Sequence, residues 1–96
     1  MWIPEEIKSY GEKRMLYLWA LFAHAEPHNA ILFDEPTAAL DDRGASWFVD
    51  MVKKSRNQII IATSDKRLLK IPNANIYETY LENGAAKVKL YRKRGK

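Results

Sequence analysis

Cysteine is absent from the 96 residues, which excludes a disulfide framework, a thiolate metal site and a cysteine nucleophile. Glycine is scarce as well: Gly11, Gly44, Gly84 and Gly95 stand singly. No G-x-x-x-x-G-K-[ST] phosphate loop can be assembled from them, so this chain lacks the backbone cradle that holds nucleotide phosphates in P-loop enzymes. No apolar run approaches the roughly 18 residues needed to span a bilayer. The opening Met1-Trp2-Ile3-Pro4-Glu5-Glu6 carries acids and no long apolar stretch, so no signal peptide is expected. These absences lead us to expect a soluble, intracellular (cytoplasmic) protein with no membrane partner. No internal repeat or low-complexity stretch occurs.

What is present describes a globular chain. Apolar residues make up 47% and charged residues 29%, a balance that places it outside the disordered class. Residues 1–96 are expected to make one small domain, or a single lobe of a larger one, which buries a modest fraction of its surface and is marginal in isolation. Aromatic residues are plentiful for that size, enough to cover an interface as well as a private core. The net charge of +4 is unevenly placed, with Lys87, Lys89, Arg92, Lys93, Arg94 and Lys96 forming a basic tail over 87–96. Such a tail can contact phosphates, which makes DNA a candidate partner; the simpler account is a solvated basic terminus.

Along the chain, Met15, Leu18, Trp19 and Phe22 fall at helical spacing and predict a helix from Ser9 to about Ala25. Ser9 followed by Glu12 matches a capping box at its start, and Pro27 closes it. Ala30 to Asp34 predicts a short buried strand. A second helix is predicted from Asp41 or Asp42 to about Ser55, with Trp47, Phe48, Met51 and Val52 on its buried face. Gln58 to Thr63 predicts a second strand, β-branched and apolar on both faces. Strand, helix and strand in that order imply a right-handed crossover and a parallel pair. Ser64-Asp65 can cap a short helix that Pro72 ends. Asn75 to Leu81 and Ala86 to Tyr91 flank Asn83-Gly84, a strong hairpin signal because both turn residues tolerate positive φ. The expected fold class is α/β: a small parallel sheet with flanking helices and a C-terminal antiparallel hairpin.

The most informative stretch is Ala30-Ile31-Leu32-Phe33-Asp34-Glu35-Pro36-Thr37-Ala38-Ala39-Leu40-Asp41. Two carboxylates stand side by side at the C-terminal end of an apolar strand, the end where ligands sit in open α/β sheets. Such a pair suits a Mg²⁺-bound nucleotide, one acid holding the metal's water shell and the next polarising an attacking water. The stretch resembles the Walker B motif and following D-loop of ABC-type ATPases. Lys8-Ser9-Tyr10-Gly11-Glu12-Lys13 resembles the signature motif of the same family, matching at Ser9, Gly11 and Glu12 and departing at Lys8 and Tyr10. Thr63-Ser64-Asp65 occupies the place of the switch loop, with Ser64 where the family has a His. The hairpin at Leu81-Glu82-Asn83-Gly84 is similar to that ending the C-terminal lobe of the SMC and DNA double-strand-break-repair group. There the N-terminal piece carries the phosphate loop (Walker A), and a long coiled coil separates the two pieces.

That resemblance implies Asp34 as the Mg²⁺ residue, acting through water, and Glu35 as the catalytic residue that positions or deprotonates the hydrolytic water. It implies that Ser9 and Gly11 bind the γ-phosphate of ATP held by the opposite subunit, helped by free N–H groups at a helix start, with Glu12, the acidic variant of the motif, in the same cofactor-binding set. It further implies Asp41 at the dimer interface and Ser64 near the phosphate, where a hydroxyl can bond but cannot carry the positive charge of an imidazolium. The cofactors would be ATP and Mg²⁺. The partner would be a Walker A-bearing chain or segment in an ATP-dependent dimer. The function would be half of an ATP-binding and hydrolysing site, inactive alone. An alternative is a non-catalytic pairing module that docks on an ABC partner and regulates it. His24 and His28 precede the Asp34-Glu35 strand and are expected at the surface.

Overall fold

Apolar residues at helical spacing begin the described part of the chain as α1, Tyr10–His24, in a computed structural model that describes residues 10–94. The capping box expected at Ser9 lies outside the described residues. After a turn in which the Asn29 amide donates to the Glu26 carbonyl, at 3.1 Å, the chain enters β1, Ile31–Asp34. Asn57 secures this turn from a distance, its side-chain amide donating to the carbonyls of Glu26 and Asn29 at 2.6 and 2.9 Å.

Helix α2 covers Asp42–Lys54, and Asp41 is its N-cap, accepting from the Gly44 amide at 2.9 Å. Strand β2, Ile59–Ala62, runs parallel to β1, with Leu32 opposite Ile60 and Asp34 opposite Ala62. A 3-10 helix, Lys66–Lys70, follows, capped by the Asp65 carboxylate on the Arg67 amide. Strands β3, Ile76–Glu82, and β4, Ala85–Arg92, form an antiparallel hairpin. Its two central turn residues, Asn83 and Gly84, have φ of 52° and 77°, the positive values that match a tight turn to the twist of the strands. The α/β class, the parallel pair and the C-terminal hairpin agree with the sequence-based expectation.

Both helices pack on one face of the parallel pair. Phe22 of α1, Phe33 of β1 and Phe48 of α2 form an aromatic cluster, with centroids 5.1 to 5.8 Å apart. Leu18, Ile31, Leu40, Val49, Leu68 and Ile71 complete the core. On α2 the buried face is Gly44, Ala45, Phe48 and Val49, so it is rotated from the expected one: Trp47, Met51 and Val52 are only partly buried. The first strand was expected to be buried, and it is buried only on its Ile31 and Phe33 side. Side chains alternate across a strand, and because α1 and α2 share the Phe33 side, Leu32 is 69% exposed and Ile60 51%.

The hairpin is held at its base, where the Arg92 guanidinium donates to the Leu69 carbonyl at 3.1 Å and to the Ile71 carbonyl. Beyond the base it is amphipathic and largely solvated. Tyr77, Leu81, Val88 and Leu90 share one face by register and are each more than half exposed. The opposite face pairs Lys89 with Glu78 at 3.8 Å and sets the same ammonium over the Tyr80 ring. No helix among the described residues is long and apolar enough to cross a membrane.

Candidate functional site

Asp34 ends β1 on the uncovered face, sharing it with Leu32, Ile60 and Ala62. The next residue turns sharply: Glu35 has φ of 47°, a left-handed conformation seldom adopted by a side chain without local compensation. Four contacts supply that compensation. The Glu35 amide donates to the Ala62 carbonyl at 2.7 Å. Its carboxylate accepts from the Thr63 hydroxyl at 3.0 Å through Oε2 and from the Ser64 amide at 2.8 Å through Oε1. Its carbonyl accepts a long contact from Arg14, at 3.5 Å.

Arg14 connects α1 to this corner. Its guanidinium fans over the carbonyls of Asp34, Glu35 and Pro36 at 3.3 to 3.5 Å, and its Cζ lies 5.5 Å from the centroid of the Tyr17 ring. The start of the same helix approaches the next loop closely. A Cβ placed on Gly11 would sit 3.2 Å from the Ala39 carbonyl oxygen, so at Gly11 the start of α1 lies close against residues 36–41. Glu12 lies on the exposed first turn.

Residues 36–41 are fixed from the other side by residues 65–67. Thr37 is completely buried, and its hydroxyl donates to Asp65 Oδ2 at 2.5 Å. Arg67 pairs with Asp65 at 2.8 Å and with Asp42 at 3.1 Å. It also donates to the carbonyls of Thr37 and Leu40 at 3.2 and 3.0 Å. The Arg67 guanidinium, aided by the Thr37 hydroxyl, holds the Asp65 carboxyl well below the usual carboxylate range. Asp65, with Asp42 behind it, raises Arg67 above its already high ordinary value. Both groups stay charged across the physiological range.

Of the sequence-predicted residues, Asp34, Glu35 and Ser64 therefore gather at the C-terminal ends of β1 and β2. Gly11 lies against the loop that leads to Asp41, whose side chain caps α2. Ser9 lies outside the described residues. His24 and His28 are exposed, as expected. Sequence reasoning did not single out Arg14, Thr37, Thr63, Asp65 or Arg67 for these contacts. An Arg beside the apolar stripe of α1 was a signal for the first, and the sequence marks Thr63 and Asp65 only as members of the 63–65 loop and, for Asp65, as a helix cap.

Neither a protein-family model nor a curated protein matches the sequence. Among solved structures, the chain is similar to one from work on the structural biochemistry of ATP-driven dimerisation and DNA-stimulated activation of SMC ATPases. The TM-score is 0.76 at 28% identity, over 91% of this chain and 56% of the other. The fold is thus that of a lobe of an SMC-type ABC ATPase. The likeness supports an ABC ATPase-related role, while the chain spans little more than half the length of that neighbour.

Proposed function

We propose that this chain supplies half of an ATP-binding and hydrolysing site of the chromosome-maintenance or DNA-repair type. The observation that carries the reading is the corner at Asp34 and Glu35. An exposed carboxylate at a strand's C-terminal end adjoins a second one, and that second carboxylate is oriented by two donors from the 63–64 loop. Asp34 fits Mg²⁺, a hard cation that takes one or two carboxylates and leaves its other positions to water and phosphate. When bound, the metal would neutralise charge on the phosphates. Glu35 orients a water and accepts its proton, and Arg14 holds the backbone beneath both acids.

The phosphate loop must come from another segment or chain. Parallel sheets are covered on both faces, and here the face bearing Leu32 and Ile60 leads directly to Asp34. A Walker A-bearing partner seated on that face would bring its loop beside the metal residue. Ser9, Gly11, Glu12 and Asp41 would then serve the opposite site of an ATP-dependent dimer, in keeping with the ATP-driven dimerisation described for the neighbour. DNA is the corresponding candidate partner for the whole assembly.

A second reading, a non-catalytic pairing module, is favoured by Ser64, which cannot supply a charged imidazole. Hydrolysis by the chain joined to its phosphate-loop partner separates the two. Glu35→Gln should abolish turnover there while preserving ATP-driven association, because removing a base spares the binding contacts. Turnover at the wild-type rate in Glu35→Gln would refute the assignment. The chain alone should show no micromolar MgATP affinity by calorimetry.

A further inference from the structure

We propose that Thr63 is the positioning residue for Glu35, acting through its side-chain hydroxyl. The inference rests on the reading of Glu35 as the base. Two hydrogen bonds define the hydroxyl's role without ambiguity. The Asp65 amide donates to Thr63 Oγ1 at 2.9 Å. The hydroxyl is thereby an acceptor from the main chain, and its single proton is directed to Glu35 Oε2, 3.0 Å away.

The Ser64 amide takes the other carboxylate oxygen at 2.8 Å. Donors on both oxygens fix the plane of the carboxylate as well as its position. An ionised carboxylate has about four lone-pair sites, so two donors leave capacity to accept from a water. The clasp therefore orients the group without using it up.

The donors are themselves anchored. Asp65, whose amide sets the Thr63 hydroxyl, is tied by its side chain to buried Thr37 and to Arg67. The backbone of Glu35 is tied to Ala62, directly before Thr63. Preorganised donors of this kind matter because they need no rearrangement as charge moves in the reaction. The residue at position 64 contributes its main chain, which any side chain would provide. The hydroxyl at position 63 is the part that depends on side-chain identity.

The test compares Thr63→Val, which keeps the β-branched shape and loses the hydroxyl, with Thr63→Ser, which keeps the hydroxyl. In isotope-labelled full chain, Glu35→Gln should move the Ser64 amide proton upfield as its charge-assisted bond is lost. Thr63→Val should shift the Glu35 carboxylate carbon, and Thr63→Ser should leave it near its wild-type position. In the chain assembled with its phosphate-loop partner, Thr63→Val should lower kcat about tenfold or more with KM for MgATP within about twofold. Thr63→Ser should recover most of that loss. A Ser64 amide that ignores Glu35→Gln overturns the clasp. Wild-type kcat in Thr63→Val, when Glu35→Gln is inert, overturns Thr63 as the positioning residue and leaves the base reading intact. Wild-type turnover in Glu35→Gln removes the base reading, and the proposal with it.

Discussion

Thr37 and Asp65, 28 positions apart in the chain, meet through a hydrogen bond of 2.5 Å at a point with no solvent access to the threonine. That contact joins the loop after Glu35 to the loop after β2, and Arg67 doubles it by holding two carbonyls of the first loop and the carboxylate of the second. The two loops cannot move independently without breaking charge-assisted bonds. Asp65 and Arg67 thus tie the loop after β2 to residues 37–40.

Asp65→Asn should weaken this junction in a pH-dependent way. The carboxyl is depressed in the folded state below its ordinary value of 3.8. Its contribution is thus fully present above about pH 4 and is lost as pH falls through the depressed folded value. Wild type should exceed Asp65→Asn by about 2 kcal/mol at neutral pH, the usual scale for a hydrogen bond to a charged group. The difference should shrink progressively below about pH 4. Melting curves of both proteins across that range check it, and a difference that is constant down to pH 2 would contradict it.

Gly11 sets two effects against each other. Alanine gains up to about 1 kcal/mol of helix propensity in a helix interior, but Gly11 is the second residue of α1, where the gain is smaller. Against it stands a backbone carbonyl 3.2 Å from the new Cβ, and overpacking commonly costs about 1–3 kcal/mol. A main-chain oxygen cannot swing aside as a flexible side chain can. Gly11→Ala should therefore lose about 1 kcal/mol, with a change in the Leu40 amide resonance, and Gly11→Val should lose more. A stabilised Gly11→Ala would mean that the loop gives way freely.

Much of the fold was legible because its signals are local. The apolar run at Ile31–Phe33, the acidic cap at Asp41 and the Asn83-Gly84 pair each act within a few residues, and the elements they imply are present. What covers a face is not local. Leu32 and Ile60 are as apolar as Ile31 and Ile59, and only the placement of α1 and α2 decides that Ile31 is buried and Ile59 half-buried while the other two are exposed. The polar junction was illegible for the same reason: Thr37 with Asp65, and Arg67 with Leu40, depend on how far side chains reach once the strands are paired. The site was legible in its acids, which adjoin in sequence, and not in the donors that aim them.

Leu32→Lys tests the partner face without disturbing the core. Leu32 is exposed, so the melting free energy should change by less than about 0.5 kcal/mol. If a phosphate-loop partner covers that face, a lysine there must bury an unpaired charge. Affinity for that partner should fall on the order of a hundredfold, about 2.7 kcal/mol. Sedimentation of the two components together measures it. Unchanged affinity would place the partner elsewhere.

Ser64→His asks whether the missing imidazole limits the site. The bond from position 64 to Glu35 runs through the main-chain amide, so the substitution leaves it in place. Residue 64 is exposed, and stability should change by less than about 0.5 kcal/mol. In the assembled site an imidazolium adds a charged donor toward phosphate, a stronger bond than a neutral hydroxyl forms. On the half-site reading, kcat should rise about tenfold, equivalent to about 1.4 kcal/mol of barrier. The pairing-module reading expects no hydrolysis in either form, since the chain then serves association alone. A wild-type assembly that turns over and is unaffected by Ser64→His would mean that Thr63 and the Ser64 amide already supply what orientation the reaction needs.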